Sequence, residues 1–255
     1  MTQSLLKVDK LEVRYDGGFE LGPISFDVPA GEIHAILGEN GSGKTTIIKA
    51  ICNEVTYTGG IQLAEREIAQ LSPKERAQSL SLVPQIEPIA FGFTVEEVVL
   101  MARIPWNSGL WENSEDRKLA EQAMDTCDVL KLRHRRLNEL SGGQRQRCLI
   151  ARAIAQNPKV LLLDEPTVYL DAKVRQSLGK LIARLANQGL AILLTSHDIQ
   201  WVADLANSVT LLQEGKPVGS GILSESMTPE KLNQVFGVRF QRLDQDGRLI
   251  FLADA

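Results

Sequence analysis

Ile33-His-Ala-Ile-Leu37, running into Gly38-Glu-Asn-Gly-Ser-Gly-Lys-Thr45, is the stretch on which the reading of this chain turns. A strand-sized apolar run passes into a glycine loop, and a helix is expected from about Lys44. The loop fits the pattern G-x-x-x-x-G-K-[ST] in the context that pattern needs, with a strand before it and a helix after it. Glycines let successive backbone N–H groups curl around phosphate oxygens, and the helix amino terminus adds the positive end of its dipole. Lys44 would reach the β- and γ-phosphates, and Thr45 would ligate Mg²⁺. Gly38, Glu39, Asn40, Gly41, Ser42, Gly43 and Thr46 complete the expected cradle. A glycine-rich turn that merely precedes a helix reads the same way in isolation, so the rest of the chain has to decide.

Two further stretches bear on it. Val160-Leu-Leu-Leu-Asp164-Glu165 is an apolar run ending in two acids. Such a strand buries itself while its carboxyl end projects charge into the crevice where α/β sheets bind ligands. Asp164 would hold Mg²⁺ through water and Glu165 would polarise an attacking water as general base. Taken alone, the pair reads equally as an acidic helix cap. Leu140-Ser-Gly-Gly-Gln-Arg145 is the most informative hexad. Ser141 and Gln144 have capping-box spacing for a helix that runs to about residue 155. Two glycines directly after the cap weaken a helix by about 1 kcal/mol each relative to alanine, with no packing reward visible in the sequence. Their use would be to let bare backbone, with the Ser141 hydroxyl, approach a phosphate. A second phosphate reader in a molecule that already has one is most useful facing the ligand of another copy, which implies a head-to-tail dimer.

The remaining sequence fits around these loops. The chain has 255 residues, 44% hydrophobic and 24% charged, enough for a sizeable core, and its net charge of -4 argues against a nucleic-acid coat. Cys52, Cys127 and Cys148 form neither a disulfide framework nor a zinc pattern. No window is apolar for the length that spans a bilayer, and no secretion signal is expected. Antiparallel strands are expected near residues 11–15 and 24–28, a turn at Gly59-Gly60, and a short helix opening at Ser72-Pro73. From about 88 to 157 the pattern turns helical, starting with a Thr94/Glu97 capping box and including a loop over 105–113. Strand–helix alternation then returns, and a hairpin turns at Asp246-Gly247. The fold class expected is α/β: a mostly parallel core with an antiparallel β portion (1–87 and 158–255) and an inserted helical subdomain (88–157).

Glycine loop, Leu-Ser-Gly-Gly-Gln and Leu-Leu-Leu-Asp-Glu-Pro, in that order, resemble the ATPase subunits of ABC transporters almost end to end, with a P-loop NTPase core. The resemblance implies further roles: Tyr15 stacking on adenine, Gln85 touching Mg²⁺ and sensing a membrane subunit, His197 contacting the γ-phosphate, and Asp171 communicating across the dimer. It implies ATP and Mg²⁺ as ligands, a homodimer, transmembrane permease subunits, a periplasmic or lipoprotein solute-binding protein acting indirectly, and a place on the cytoplasmic face of the inner membrane. Phe93-Thr-Val-Glu-Glu-Val98 with Arg103-Ile-Pro105, Glu165-Pro-Thr-Val-Tyr-Leu-Asp171 and Phe236-Gly-Val238 are similar to importers of iron-siderophores, haem and cobalamin. Ala102 stands where that subfamily usually has glycine, which leaves other importers and split exporters open. DNA-repair relatives would need a long coiled coil between Lys44 and Leu140, where no heptads are sustained, and ribosome-associated relatives would need tandem cassettes.

Overall fold

A computed structural model of the chain describes residues 4–85, 92–106 and 114–254. The expected start of the helical insertion near 88 and most of the loop 105–113 lie outside these residues. In chain order the elements are β1 (Ser4–Arg14), β2 (Glu20–Pro29), β3 (Ile33–Gly38), α1 (Lys44–Ile51), β4 (Thr58–Leu63), β5 (Arg66–Glu67), α2 (Pro73–Ser79), β6 (Leu80–Val83), α3 (Val95–Leu100) and α4 (Ser114–Thr126). They continue with α5 (Gly142–Ala155), β7 (Val160–Leu163), α6 (Ala172–Asn187), β8 (Ala191–Ser196), α7 (Ile199–Leu205), β9 (Ser208–Gln213), β10 (Lys216–Ile222), α8 (Leu223–Ser226), α9 (Pro229–Phe236), β11 (Phe240–Gln245) and β12 (Arg248–Ala253). The chain divides into two compact units, Met1–Leu71 with Ala183–Ala255, and Ser72–Ile182.

In the first unit, β1 pairs antiparallel with β2 and β4. Its buried side chains are Leu6, Val8, Leu11 and Val13. The alternation slips by one residue between Val8 and Leu11, where the register shifts and Lys10 takes φ 48°, so a β-bulge keeps the apolar row on one face. β3 and β8 are buried along their whole lengths, the pattern of strands covered on both faces. β3 runs parallel to both β8 and β9, and β10 pairs antiparallel with β9. The sequence offered no strand at Lys216-Pro-Val-Gly-Ser-Gly, because glycine and proline there suppress the alternating signal. Gly59-Gly60 is a correction: it lies inside β4, where a Cβ on Gly59 would come within 2.3 Å of the Lys10 carbonyl oxygen. Glycine there permits close approach of two strands, not a turn.

The second unit pairs β6 with β7 in parallel and carries the helices α2 to α5. Its helix starts follow local chemistry, with full capping boxes at Ser72/Glu75, Thr94/Glu97 and Ser141/Gln144. The Thr94 backbone N–H and hydroxyl hold the Glu97 carboxyl below the ordinary glutamate range. Pro105 and Trp106, expected in a loop, belong to a 3₁₀ turn over Met101–Trp106. Among the described residues no helix is long and apolar enough to cross a membrane.

His34, the second residue of β3, is 1% exposed. Its ring stacks on Phe26 at 4.4 Å, Nδ1 lies 2.7 Å from Ser208 Oγ, and Nε2 lies 3.0 Å from Thr210 Oγ1. Both nitrogens thus meet hydroxyls and no carboxylate, and burial pushes the imidazole down to about 3. The unfolded chain takes up a proton near pH 6.5 that the folded chain refuses. Stability supplied by the neutral ring is therefore complete above that pH and is lost as pH falls toward 3, by up to about 1.4 kcal/mol per pH unit. His34→Gln keeps hydrogen-bonding capacity without titrating, so its Tm should fall less than that of the wild type between about pH 6.5 and 5, above the carboxylate range. Equal slopes in thermal scans would show that His34 does not set this dependence.

Candidate functional site

The glycine loop forms as the strand–loop–helix order demands, between β3 and α1. Gly41 and Gly43 take φ 81° and 106°, in the left-handed region, and a Cβ on Gly43 would sit 2.7 Å from Leu21 and 3.0 Å from Phe19. The Ser42 N–H donates to the Glu39 carbonyl at 3.2 Å. The Gly215 N–H, from the turn between β9 and β10, donates to the Ser42 carbonyl at 2.9 Å. Lys44 Nζ, on a residue only 6% exposed, donates to the carbonyls of Gly38 at 2.8 Å and Glu39 at 2.9 Å. Its positive charge is thereby fixed at the base of the loop. Ser42 Oγ is buried and makes no hydrogen bond. A buried hydroxyl left this way in a ring of backbone, beside a fixed cation, fits a phosphate-bearing ligand.

Four more expected residues, His197, Tyr15, Thr45 and Thr46, share this unit. β8 is in register with β3, Leu37 opposite Ser196, so His197 leaves its strand beside the residue that enters the loop. Asp198 then caps α7 through the Trp201 N–H at 3.0 Å. Tyr15, in the turn from β1 to β2, is 39% exposed, with its ring 6.3 Å from that of Phe19. Phe19 stands between Tyr15 and Gly43, a contact residue that the motifs did not single out. Thr45 and Thr46 lie in the first turn of α1.

The second unit holds the other candidates. Val83 and Leu163 face each other at the ends of β6 and β7, and the Asp164 N–H donates to the Val83 carbonyl at 2.9 Å. Gln85, two residues past Val83, and Asp164 therefore leave the same end of this pair. Asp164 and Glu165 are 5% and 6% exposed, and Glu165 is held at φ 48°. A non-glycine residue in that region is uncommon and concentrates at functional sites. The following loop is closed by Val168 N–H to the Glu165 carbonyl at 3.3 Å and Leu170 N–H to the Thr167 carbonyl at 3.1 Å. Tyr169 projects from it 96% exposed, at φ 64°. Asp171 accepts from the Val174 N–H at 2.9 Å, capping α6.

Ser141 Oγ accepts from the Gln144 N–H at 3.3 Å, and the Gln144 side chain accepts from the Ser141 N–H at 3.1 Å. The two glycines between them are not equivalent, which corrects the expectation that neither has a packing role. A Cβ on Gly143 would lie 2.5 Å from Val174 Cγ1, whereas one on Gly142 meets nothing closer than Leu170 Cδ2 at 3.9 Å. Gly143 lets α5 approach α6; Gly142 is exposed and has room to spare. Gly143→Ala should therefore lower unfolding stability by about 1–3 kcal/mol through overpacking, and Val174→Ala should recover most of the loss. Gly142→Ala, which meets no obstacle, should keep or raise the Tm, by up to the ~1 kcal/mol by which a helix favours alanine over glycine. Equal destabilisation by both alanines in denaturant titrations would contradict this division.

Comparisons with known proteins agree with the geometry. Residues 21–168, well over half of the chain, match the family model described as ABC transporter. The chain is 35% identical over 243 residues to the hemin import ATP-binding protein HmuV of Gloeobacter violaceus, covering 92% of this chain and 88% of that one. It is 34% identical over 236 residues to the iron(3+)-hydroxamate import ATP-binding protein FhuC of Bacillus subtilis, with 91% and 88% covered. Among solved structures it superposes with a TM-score of 0.88 on a chain of a transporter described as metal-chelate type, in an inward-facing conformation, at 31% identity over 99% of this chain and 98% of that one. Sequence order, local geometry and these likenesses converge: the chain belongs to the ABC transporter family, as one of its ATP-hydrolysing subunits.

Proposed function

We propose that two copies of this chain close head to tail around two ATP molecules and so power a transmembrane permease that imports a metal chelate such as haem, an iron-siderophore or cobalamin. The observation that carries the dimer is the presence of two phosphate-reading loops in one chain, Gly38–Thr45 and Ser141–Gln144. Gly142, exposed and without a packing role, supports an open approach to a partner's ligand. The substrate class rests on the likeness to the hemin and iron(3+)-hydroxamate import proteins. The chain would sit on the cytoplasmic face of the inner membrane, held there by the permease, with a solute-binding protein delivering cargo from the other side.

In this reading Tyr15 stacks on the adenine. Backbone N–H groups of residues 38–46, with Lys44, hold the β- and γ-phosphates, and the facing Ser141 to Gln144 holds the γ-phosphate of the same nucleotide. Mg²⁺, held by Thr45, Gln85 and Asp164, would neutralise phosphate charge. Glu165 accepts a proton from water as the water oxygen bonds to the γ-phosphorus and the bridging bond to ADP breaks. His197 donates to the γ-phosphate oxygens, and Asp171 meets its counterpart across the seam. ADP, inorganic phosphate and a proton leave, and the copies part. Closure passes through the Gln85 loop and the helical part, residues 88–157, to the permease.

Glu165→Gln keeps the shape of the side chain and removes the base. Its ATP turnover should fall about 10²–10⁴-fold while ATP binding, measured by equilibrium titration, stays near wild type. Turnover within a few-fold of wild type would move the base to another residue.

A further inference from the structure

The turn between β9 and β10 carries none of the residues that the motifs single out, yet it is built into the nucleotide-binding unit. Glu214 and Gly215 take φ 45° and 81°, and Gln213 pairs with Lys216 across them, so a two-residue hairpin loop with both central residues left-handed joins the strands. Connecting segments usually run over the surface, but Gly215 at this tip is buried. Its N–H donates to the Ser42 carbonyl at 2.9 Å, and its carbonyl accepts from the Gly22 N–H at 2.7 Å. A Cβ on Gly215 would lie 2.1 Å from the Glu20 carbonyl oxygen and 3.3 Å from Phe19 Cζ. Lys216 Nζ adds a bond to the Gly22 carbonyl at 3.1 Å.

These contacts join two parts of the site. Ser42 lies in the phosphate loop, and a trans peptide points its C=O and N–H in opposite directions, so a Ser42 carbonyl held by Gly215 turns the Gly43 N–H away from the hairpin. Phe19, Glu20 and Gly22 lead out of the turn that carries Tyr15. That turn is closed by the Tyr15 N–H to the Phe19 carbonyl at 3.1 Å and the Gly18 N–H to the Tyr15 carbonyl at 3.0 Å, so Tyr15 follows any displacement of Phe19. The Phe19 ring also stands against the phosphate loop, where a Cβ on Gly43 would come within 3.0 Å of its Cζ. Phe19 thus has the phosphate loop on one side and the hairpin tip on another, and Gly215 leaves no space between itself and Glu20. Backbone packed on backbone, rather than a flexible side chain, sets how far the Tyr15 turn stands from the loop. Contacts at the two ends of one ligand reinforce each other most when their separation is fixed in advance to match it.

We propose that Gly215 is a positioning residue for the nucleoside end of the ligand. Acting through Glu20 and Phe19, it holds the Tyr15 turn at one distance from the phosphate loop, so that base and phosphates are met together without rearrangement. The inference rests on the reading above in which Tyr15 stacks on adenine. The ligand chemistry that depends on Gly215 is a nucleoside joined to a triphosphate; inorganic triphosphate has no base and engages the phosphate loop alone. A side chain at position 215 is driven against the Glu20 carbonyl and pushes the start of β2 outward, while the residue's N–H remains a donor to Ser42.

The test compares the dissociation constants of the whole chain for ATP and for inorganic tripolyphosphate, titrated calorimetrically in EDTA so that no turnover intervenes. Gly215→Ala should weaken ATP about five- to tenfold, the lower range for one base stacked on an aromatic ring, and leave tripolyphosphate close to wild type. Phe19→Leu keeps apolar bulk beside Gly43 and loses the ring that reaches Tyr15, so it should give the same split and serves should Gly215→Ala fold poorly. In a Tyr15→Ala background, Gly215→Ala should weaken ATP no further, the non-additivity expected when one residue acts through another. Equal weakening of both ligands would overturn the proposal and leave the hairpin as a brace for the phosphate loop. Unchanged ATP affinity in the Gly215 and Phe19 variants would overturn it as well. A Tyr15→Ala chain that binds ATP as tightly as wild type would sink the adenine reading itself, a result distinguishable from failure of the Gly215 variants.

Discussion

The glycine loop between β3 and α1 is arranged around one buried cation. The Lys44 ammonium sits inside its own loop, held by the carbonyls of Gly38 and Glu39. A buried ammonium left without acceptors would be strongly disfavoured, so these contacts fix both the lysine and the curl of the loop. The curl is possible because Gly43 leaves room for Leu21 and Phe19, and it is pinned from outside by Gly215. With the charge fixed before ligand arrives, little reorganisation remains when phosphate binds, the condition under which electrostatic stabilisation is most effective.

The other unit is organised by helix caps and strained loops. Ser141 and Gln144 use each other to close the start of α5, which leaves Gly142 exposed at the tip. Glu165 and Tyr169 both hold left-handed backbone conformations in the short segment before Asp171. Such conformations persist only where the surroundings impose them, and here a fully buried strand, β7, and a capped helix, α6, hold the two ends of the segment. One end carries the proposed base and the other the residue expected at the seam, so the two are mechanically close.

Much of this was legible in the sequence because the phosphate loop, the capping boxes and the apolar strands are local signals, each written within a few residues. Features created by distant residues meeting were not. Gly59 reads as a turn until β4 is laid against Lys10, and Gly143 reads as a free glycine until Val174 is placed beside it. The strand β10 hides behind proline and glycine because its partner β9 supplies the pairing. Arg103 shows in the sequence only as part of a likeness to metal-chelate importers; its burial depends on Asp116, Ala155 and Trp106, which only the tertiary fold gathers. His34 lies unremarked inside an apolar run, and its neutrality follows from burial beneath Phe26 with only hydroxyls of β9 at its ring nitrogens.

The central claim is that each nucleotide is completed by two copies, Lys44 from one and Ser141 from the other. Mixing inactive Lys44→Ala protein with inactive Ser141→Arg protein and assaying ATP hydrolysis tests it most directly. Exchange of subunits would pair one intact loop with one intact Ser141, so activity should return and be greatest near equal proportions. No recovery at any ratio, with mixed dimers demonstrated to form, would contradict a shared site.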